Sequence, residues 1–346
     1  MGETKESFFI KDDYDADRIK EVQDLLQAGE EIAKEDNKKS LLLPVPRNDG
    51  IDIWHEGFAF TSIHPRSFKM IGKDYFPHFL SIVCKKDEYE HIQEEIEKGC
   101  EGKLKKQKVA LKAEIFAREA KLRIGEYKKF LCDDGVVNKE NLRLMQKTIE
   151  RGMPEDKERK SQHRIMQQHQ SYGWDKYSIC GTEVTIPKKY INDKPSEIDL
   201  VAFNPSKGKI LLIEYKCDNK TLLQGDQNVE GHYKDYTNIL KAIDEGKLKF
   251  QQEVLKAWNV MRRIKGLKPE DYDLKIIKVE ILFLITNVPI DMENWNPNKA
   301  ITDEDYENAR QMVEACTHNP QYKDRIWWQR ESTPDAVFIE EKRWKK

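Results

Sequence analysis

The second half of the chain alternates between two hydrophobic patterns. Short runs rich in Ile, Leu and Val predict four strands, over Thr182–Pro187, Glu197–Phe203, Ile210–Lys216 and Val279–Thr286. Apolar residues three and four positions apart predict four helices, over Glu155–Tyr172, Gln227–Ile243, Lys247–Lys265 and Asp303–Cys316. From residue 155 the predicted order is therefore helix, three strands, two helices, strand and helix, followed by an extended region over Arg325–Glu340.

The first half of the chain has a different pattern. Residues 8–40 predict a helix with an acidic surface, which the prolines at 44 and 46 prevent from continuing. Residues 51–84 are rich in aromatic side chains and predict strands and short helices around a small core. Residues 87–131 have helical spacing, and the glycines at 99 and 102 separate two helices, of which the second is basic. We therefore predict an N-terminal region over residues 1–150 and a second domain over residues 151–346.

The composition is that of a folded chain without membrane spans. Its 346 residues are 38% hydrophobic, which supplies the large apolar side chains that disordered chains lack. The longest apolar runs, such as Ile281–Ile285, are far shorter than the roughly 20 residues that cross a bilayer. The charged first residues do not resemble a signal peptide, so we expect a cytoplasmic protein. The six cysteines form no CxxC pair, which argues against structural zinc and a disulfide framework.

Charge is distributed unevenly along the chain, although the net formal charge is only −2. Residues 1–100 contain 14 basic and 22 acidic side chains, whereas residues 103–164 contain 18 basic and 10 acidic ones. The basic segment is either a solvated helix face or a surface for a polyanion. Under the second alternative, Lys105, Lys106 and Lys108 are its candidate DNA-binding residues.

Three residues with complementary chemistry lie on two consecutive predicted strands. Side chains alternate along a strand, so Glu214 and Lys216 share one face. If the turn after the preceding strand is symmetric about its middle, between Ser206 and Lys207, then Asp199 lies directly opposite Glu214. Opposed residues have Cβ atoms about 4.5–5.5 Å apart, close enough for two carboxylates to share a divalent cation. Lys216 would then orient or help to deprotonate water, or stabilise charge on a phosphate.

At these residues the chain resembles the PD-(D/E)xK nuclease superfamily, over roughly residues 155–290. Ile198 stands where the literal signature has proline. The resemblance implies an α/β fold with a restriction-endonuclease-like core (helix, three-stranded meander, helix, strand), to which this chain adds an N-terminal α+β or helical region. It also implies that Asp199 and Glu214 bind Mg²⁺ or Mn²⁺, and that Lys216 completes the catalytic set.

Further site residues follow from the same resemblance, because many members carry an acidic residue on the first core helix. Glu158 and Gln162 are equally placed for that position, and Glu183 on the first strand is a third alternative. The helix after the third strand often carries Gln and Tyr near the active site. Supporting candidates there are Gln227, or the pair His232 and Tyr236.

The leading hypothesis is a metal-dependent deoxyribonuclease that acts in phage defence, restriction or DNA repair, with RNA left open as a substrate. A second hypothesis is a non-catalytic nucleic-acid-binding or assembly protein that keeps the nuclease fold. A third is an interaction module centred on the acidic first hundred residues. Self-association or binding of a partner protein through the N-terminal region is compatible with each of them.

Overall fold

The computed structural model has a mixed α/β architecture. It describes residues 14–38, 41–47, 50–64, 68–70, 75–152, 157–191, 195–287 and 299–339. The chain divides between residues 156 and 157 into two compact units, and residues 45–47 are grouped with the second. This division lies close to the boundary predicted near residue 150. No helix in the described ranges is long and apolar enough to cross a membrane.

The amino-terminal unit begins with a helix and a small sheet. Helix α1 covers Ala16–Glu35, so the helix predicted over residues 8–40 is shorter at its C-terminus, while residues 8–13, 39 and 40 lie outside the described part. The sheet contains four strands in the order β1-β2-β3-β4, over Leu43–Pro46, Ile51–His55, Phe58–Ile63 and Phe68–Met70. Glu56 and Gly57 both have positive φ, 51° and 87°, as a two-residue hairpin turn requires.

The remainder of this unit is mainly helical. Its helices α2–α6 cover Phe76–Val83, Lys86–Cys100, Lys105–Ile124, Tyr127–Leu131 and Lys139–Gly152. A two-stranded ribbon, β5 and β6, covers Cys132–Asp133 and Val136–Val137. The predicted break between two helices is confirmed, because α3 ends at Cys100 and Gly102 adopts a φ of 68° before α4 begins.

The carboxy-terminal unit is built on a five-stranded sheet. Its strands β7–β11 cover Ser178–Ile186, Ser196–Asn204, Lys209–Lys216, Lys278–Thr286 and Ile326–Glu331. Its helices α7–α12 cover Lys157–Gln168, Lys188–Ile191, Asn219–Leu223, Val229–Asp244, Phe250–Ile264 and Asp303–Ala315. The spatial order is β11-β10-β9-β8-β7. Strands β7, β8 and β9 form an antiparallel meander, and β10 and β11 continue the sheet in parallel from β9.

The order of helix, three strands, helices and strand therefore agrees with the sequence prediction. Two bounds differ. Strand β7 starts at Ser178 rather than Thr182, because a bulge between Ile179 and Gly181 allows it to pair along nearly all of β8. The final extended region contains strand β11, which pairs with β10 at the edge of the sheet.

The turn between β8 and β9 sets the register of these strands. The Asn204 Oδ1 atom accepts hydrogen bonds from the Ser206 hydroxyl at 2.9 Å and the Lys207 N–H at 3.2 Å. Gly208 closes the turn with a φ of 56°. The strands pair from Asn204 opposite Lys209 to Leu200 opposite Ile213, which confirms the predicted register over these residues.

The core of the carboxy-terminal unit lies between the sheet and helices α10 and α11. Phe203 on β8 is fully buried, and its ring makes edge contacts with Trp258, at 5.4 Å between centroids, and Tyr272, at 5.6 Å. Aromatic pairs in this geometry stabilise a core beyond the area that they bury.

We expect Phe203→Ala to lower the free energy of unfolding by about 3–5 kcal/mol, since it leaves a cavity between β8 and α11. Phe338→Ala is the matched control, because that side chain is 57% exposed, and its effect should stay within about 0.5 kcal/mol. Urea denaturation followed by circular dichroism measures both values. Equal losses for the two variants would contradict this account of the core.

Candidate active site

Strand β9 places an ion pair inside the carboxy-terminal unit. Glu214 has no exposed surface and Lys216 is 5% exposed. The Lys216 ammonium lies 2.6 Å from Glu214 Oε1. A carboxylate buried this completely is stabilised only when it is paired and hydrogen-bonded, so its neighbours are constrained.

Helix α10 supplies two further partners to the same carboxylate. His232 Nδ1 lies 3.0 Å from Glu214 Oε2, and the Tyr236 hydroxyl donates a hydrogen bond of 2.8 Å to this oxygen. The two side chains are four residues apart, so they project from the same face of α10. These two contacts from α10 therefore fix the position of the Glu214 carboxylate on β9.

Asp199 lies on β8 one position beyond the last regular pair, Leu200 with Ile213. Continuation of this register places it opposite Glu214. Its Oδ2 atom accepts a hydrogen bond of 2.8 Å from the Tyr215 N–H, and its own N–H donates to the Tyr236 hydroxyl at 3.3 Å. Tyr236 thus connects the β8 backbone to the Glu214 carboxylate.

Asp199, Lys216 and His232 line a cavity of about 570 Å³, whereas Glu214 is not among its wall residues. Lys216 and His232 lie in its wall together with five carboxylates, those of Glu158, Glu197, Asp199, Asp226 and Asp235. Acidic groups therefore outnumber basic ones, and the cavity favours cations.

The loop before α10 forms one wall of the cavity through residues 224–227. Gly225 has a φ of 77°, which a residue with a side chain rarely adopts. Gly231, in the first turn of α10, packs so closely on the loop that a Cβ atom there would lie 2.2 Å from the Asp226 carbonyl oxygen. Two glycines therefore keep this loop close to the helix.

The two central carboxylates have pKa values shifted in opposite directions. Burial raises the pKa of Asp199 well above 3.8, and the negative charges of Glu214 and Glu158 raise it further. Burial also acts to raise the pKa of Glu214, but Lys216 and His232 outweigh it, and the net shift is downward. Glu214 is thus held as an anion, whereas ionisation of Asp199 is opposed by its surroundings.

Lys216 remains a cation in this environment. Burial alone would lower its pKa, but the negative charges of Glu214, Glu158 and Asp199 raise it above the ordinary lysine value. A lysine with a raised pKa is a poor general base at neutral pH. The arrangement therefore favours the prediction that Lys216 stabilises charge over the alternative that it deprotonates water.

The structure brings together some of the supporting residues and not others. Glu158 and Gln227 are in the cavity wall, as His232 is, and Tyr236 lies behind it. Gln162 is a buried side chain one turn along α7 and does not line the cavity. Of the two equally placed residues on α7, Glu158 is therefore the one at the site.

Glu183 is also separated from the cavity. On β7 it lies between Thr182, which pairs with Leu200 of β8, and Val184, which pairs with Ile198 of β8. It is therefore directly across from Asp199. Its φ is 47°, and its carboxylate pairs with Arg159 at 2.7 Å. The pairing of β7 with β8 keeps the same register on both sides of Glu183, and Glu183 is not in the cavity wall.

Sequence reasoning missed several wall residues. Thr221, Gln224 and Asp226 come from α9 and the loop that follows, where no periodic pattern indicates direction. Asp235 follows His232 by three positions on α10, so helical spacing alone would have placed it on the same side. The candidate DNA-binding residues Lys105, Lys106 and Lys108 are exposed on α4 of the amino-terminal unit.

The carboxylates at the cavity have the donor chemistry that Mg²⁺ and Mn²⁺ prefer. Within the described residues, no three His, Cys, Asp or Glu side chains form a ready-made metal site. Glu214 Oε1 already pairs with the Lys216 ammonium at 2.6 Å, whereas Asp199 is repelled by Glu214 and Glu158. A divalent cation would relieve this repulsion at Asp199, so the residues fit such an ion.

No known protein-family model, curated protein or solved structure matches this chain. The interpretation of the site therefore depends on its own geometry and chemistry.

The raised pKa of Asp199 predicts a pH-dependent loss of stability. Below about pH 3.8 the group is protonated in both the folded and unfolded states, whereas at higher pH the unfolded chain releases this proton more readily. We therefore expect Asp199→Asn to raise the melting temperature at pH 7 in EDTA by about 2–4 °C, equivalent to ~1 kcal/mol.

The stabilisation by Asp199→Asn should shrink as the pH falls towards 4. Asparagine keeps the acceptor for the Tyr215 N–H, so the hydrogen bond is not lost. Glu197→Gln on the same strand is the matched control, because Glu197 is exposed, and its melting temperature should stay near that of wild type. Scanning calorimetry at several pH values measures the difference. A lower melting temperature for Asp199→Asn at pH 7 would contradict the proposed repulsion.

Proposed function

We propose that this protein is a metal-dependent nuclease of the PD-(D/E)xK type that hydrolyses phosphodiester bonds of DNA. The observation that carries the proposal is that Asp199 and Lys216 lie in the wall of one acidic cavity, while the buried Glu214 is ion-paired to Lys216 and lies opposite Asp199 by register. The helix α7, the β7-β8-β9 meander, helix α10 and the parallel strand β10 also have the order expected for such a core.

Asp199 and Glu214 would hold the metal ion, with Glu158 from α7 as the third carboxylate at the cavity. A bound divalent ion supplies polarisation of a phosphoryl oxygen and lowers the pKa of a coordinated water. Without it, the carboxylates repel each other and would also repel a phosphate. The negative charge of the cavity is therefore unfavourable for the phosphate of the proposed substrate, and a bound divalent ion would offset this charge.

Lys216 has a separate role in this proposal. Its ammonium lies in the cavity wall and keeps its proton, so it can stabilise the negative charge that develops on the phosphate during attack. Glu214 positions it through the ion pair of 2.6 Å. His232 and Tyr236 in turn fix Glu214, so α10 acts on the chemistry through this carboxylate.

The wall of the cavity is suited to a phosphodiester backbone rather than to a base. Sites that bind bases usually offer Phe, Tyr, Trp or Arg side chains for stacking. Apart from Pro195 and Gly225, the wall residues here are carboxylates, amides and hydroxyls, together with Lys216 and His232. We therefore expect weak dependence of cleavage on the base at the scissile bond.

The main test is cleavage of plasmid and linear DNA with Mg²⁺, Mn²⁺ or EDTA. We expect cleavage with either ion and none in EDTA. Asp199→Asn, Glu214→Gln and Lys216→Met should each reduce the rate by at least about 100-fold. Near-isosteric replacements are preferred to alanine, because removal of one member of a buried pair leaves the other unpaired at a cost of about 3–5 kcal/mol.

Metal affinity separates the roles of these residues. Isothermal titration calorimetry should give an affinity for Mn²⁺ at least about 10-fold weaker in Asp199→Asn, and a nearly unchanged affinity in Lys216→Met. Lys209→Met is the control for loss of a lysine from β9, because Lys209 pairs with Glu280 at the other end of this strand. It should leave cleavage unchanged.

If the three variants remain folded and cleave DNA as wild type does, the assignment to this site is wrong. If wild type binds DNA but does not cleave it with either ion, the alternative of a non-catalytic nucleic-acid-binding protein is favoured.

A further inference from the structure

Helix α3 of the amino-terminal unit carries an exposed acidic ridge. Its members follow each other at intervals of three and four residues and therefore lie on one face, namely Asp87, Glu90, Glu94, Glu97 and, just after the helix, Glu101. All five are exposed, and two of them, Glu90 and Glu94, pair with Lys86 and Lys98 of the same helix at 3.7 and 3.8 Å. The opposite face of α3 carries the buried Ile92, Ile96 and Cys100. The ridge thus points away from the unit's own core.

Helix α4 carries a ridge of the opposite charge. Lys105, Lys108 and Lys112 have the same three- and four-residue spacing and are exposed. None of these lysines forms an ion pair within the part of the chain that the structure describes. Two large apolar side chains are exposed beside them, Leu104 at 74% and Val109 at 61%.

The two helices form a hairpin that holds these ridges in place. Ile92, Ile96 and Cys100 pack with Ile115 of α4 in a small core, and Arg118 pairs with Glu95 across the hairpin at 2.7 Å. Within α4 itself, only Ile115 and Ala120 are buried along its 20 residues. The N-terminal half of α4 therefore presents apolar and basic side chains that its own unit leaves uncovered.

The charge pattern distinguishes between possible occupants. A nucleic acid would pair with the lysines of α4, but its phosphates would be repelled by the five carboxylates on the adjacent helix. A second copy of the chain provides both partners. In a two-fold arrangement, α3 of each copy faces α4 of the other, and both contacts join opposite charges.

We propose that the α3–α4 hairpin is a self-association surface, at which the acidic ridge of one copy pairs with the basic ridge of a second. One face of this hairpin contributes fewer residues than the roughly 20–30 a side of a standard interface. The dimer is therefore reversible, with a dissociation constant on the order of micromolar, and it weakens as salt screens the charges.

Sedimentation velocity of the full-length chain over a range of concentrations tests the proposal. Wild type should shift from the monomer mass of 40.8 kDa towards twice this value as concentration rises. The basic-ridge reversal, K105E with K108E and K112E, should weaken the dimer by at least about 100-fold. The acidic-ridge reversal, E90K with E94K and E97K, should do the same.

A mixture of the two reversed variants is the decisive measurement. Both ridges of one variant are then predominantly acidic and both ridges of the other are predominantly basic, so a heterodimer should form although each variant alone is monomeric. Misfolding of either variant cannot produce this rescue. The matched control is K241E with K268E and K275E, three exposed lysines of the carboxy-terminal unit, which should leave dimerisation unchanged.

Three outcomes would overturn the proposal. They are a wild type that stays monomeric at its highest soluble concentration, reversed variants that dimerise like wild type, and a mixture that stays monomeric. Duplex-DNA affinity tests the other possible occupant, a nucleic acid. It is measured on the same basic-ridge variant and on K105E with K106E and K108E. A monomeric wild type whose DNA affinity falls in these variants would assign the lysines to phosphate contacts instead.

Discussion

The buried carboxylate of Glu214 is the constraint on which the carboxy-terminal unit depends. Its negative charge lies in the middle of the sheet with no exposed surface, where an unpaired carboxylate would not remain ionised. Lys216, His232 and Tyr236 satisfy it, and Tyr236 also connects it to β8. Helix α10 is therefore attached to the sheet by a polar cluster as well as by apolar packing. Disruption of the cluster would affect both the site and the fold.

Stability and chemistry make opposite demands at this site. The Glu214 cluster is nearly complete, and its charges compensate one another. Asp199 lies one strand away with two further carboxylates near it, and its ionised form is disfavoured. Natural sites often retain such groups, because a fully compensated set of charges has no remaining affinity for a ligand. The packing of the strands around Asp199 offsets the unfavourable free energy of keeping its carboxylate at this position.

The sequence predicts the central strands and their register well, for a physical reason. Strands β8, β9 and β10 are almost continuously apolar, and the turn from Asn204 to Lys209 contains the residues that a tight connection requires. A two-residue period then determines which side chains face each other. The prediction that Asp199, Glu214 and Lys216 lie together on one face of the sheet follows from these local rules alone.

The remainder of the site depends on tertiary packing. Glu158 and Gln162 lie one turn apart on the same side of α7, so the position of the helix along its own axis relative to the sheet decides between them, and the helical pattern leaves this position open. Glu183 lies level with Asp199 on the neighbouring strand, but it pairs with Arg159 and is not in the cavity wall. Thr221, Gln224 and Asp226 approach the cavity through an irregular loop whose path depends on contacts with α10. Local pattern carries no information about these contacts.

The connection between β8 and β9 also limits how this chain can change by insertion and deletion. Such turns usually tolerate length variation, because they lie at the surface. Here Asp199 is five residues from Asn204, or about 17 Å along the strand. Gain or loss of one residue in the turn would slide β8 by one position against β9 and move Asp199 to the opposite face of the sheet. The length of this turn is therefore as closely tied to the site as the acidic residues themselves.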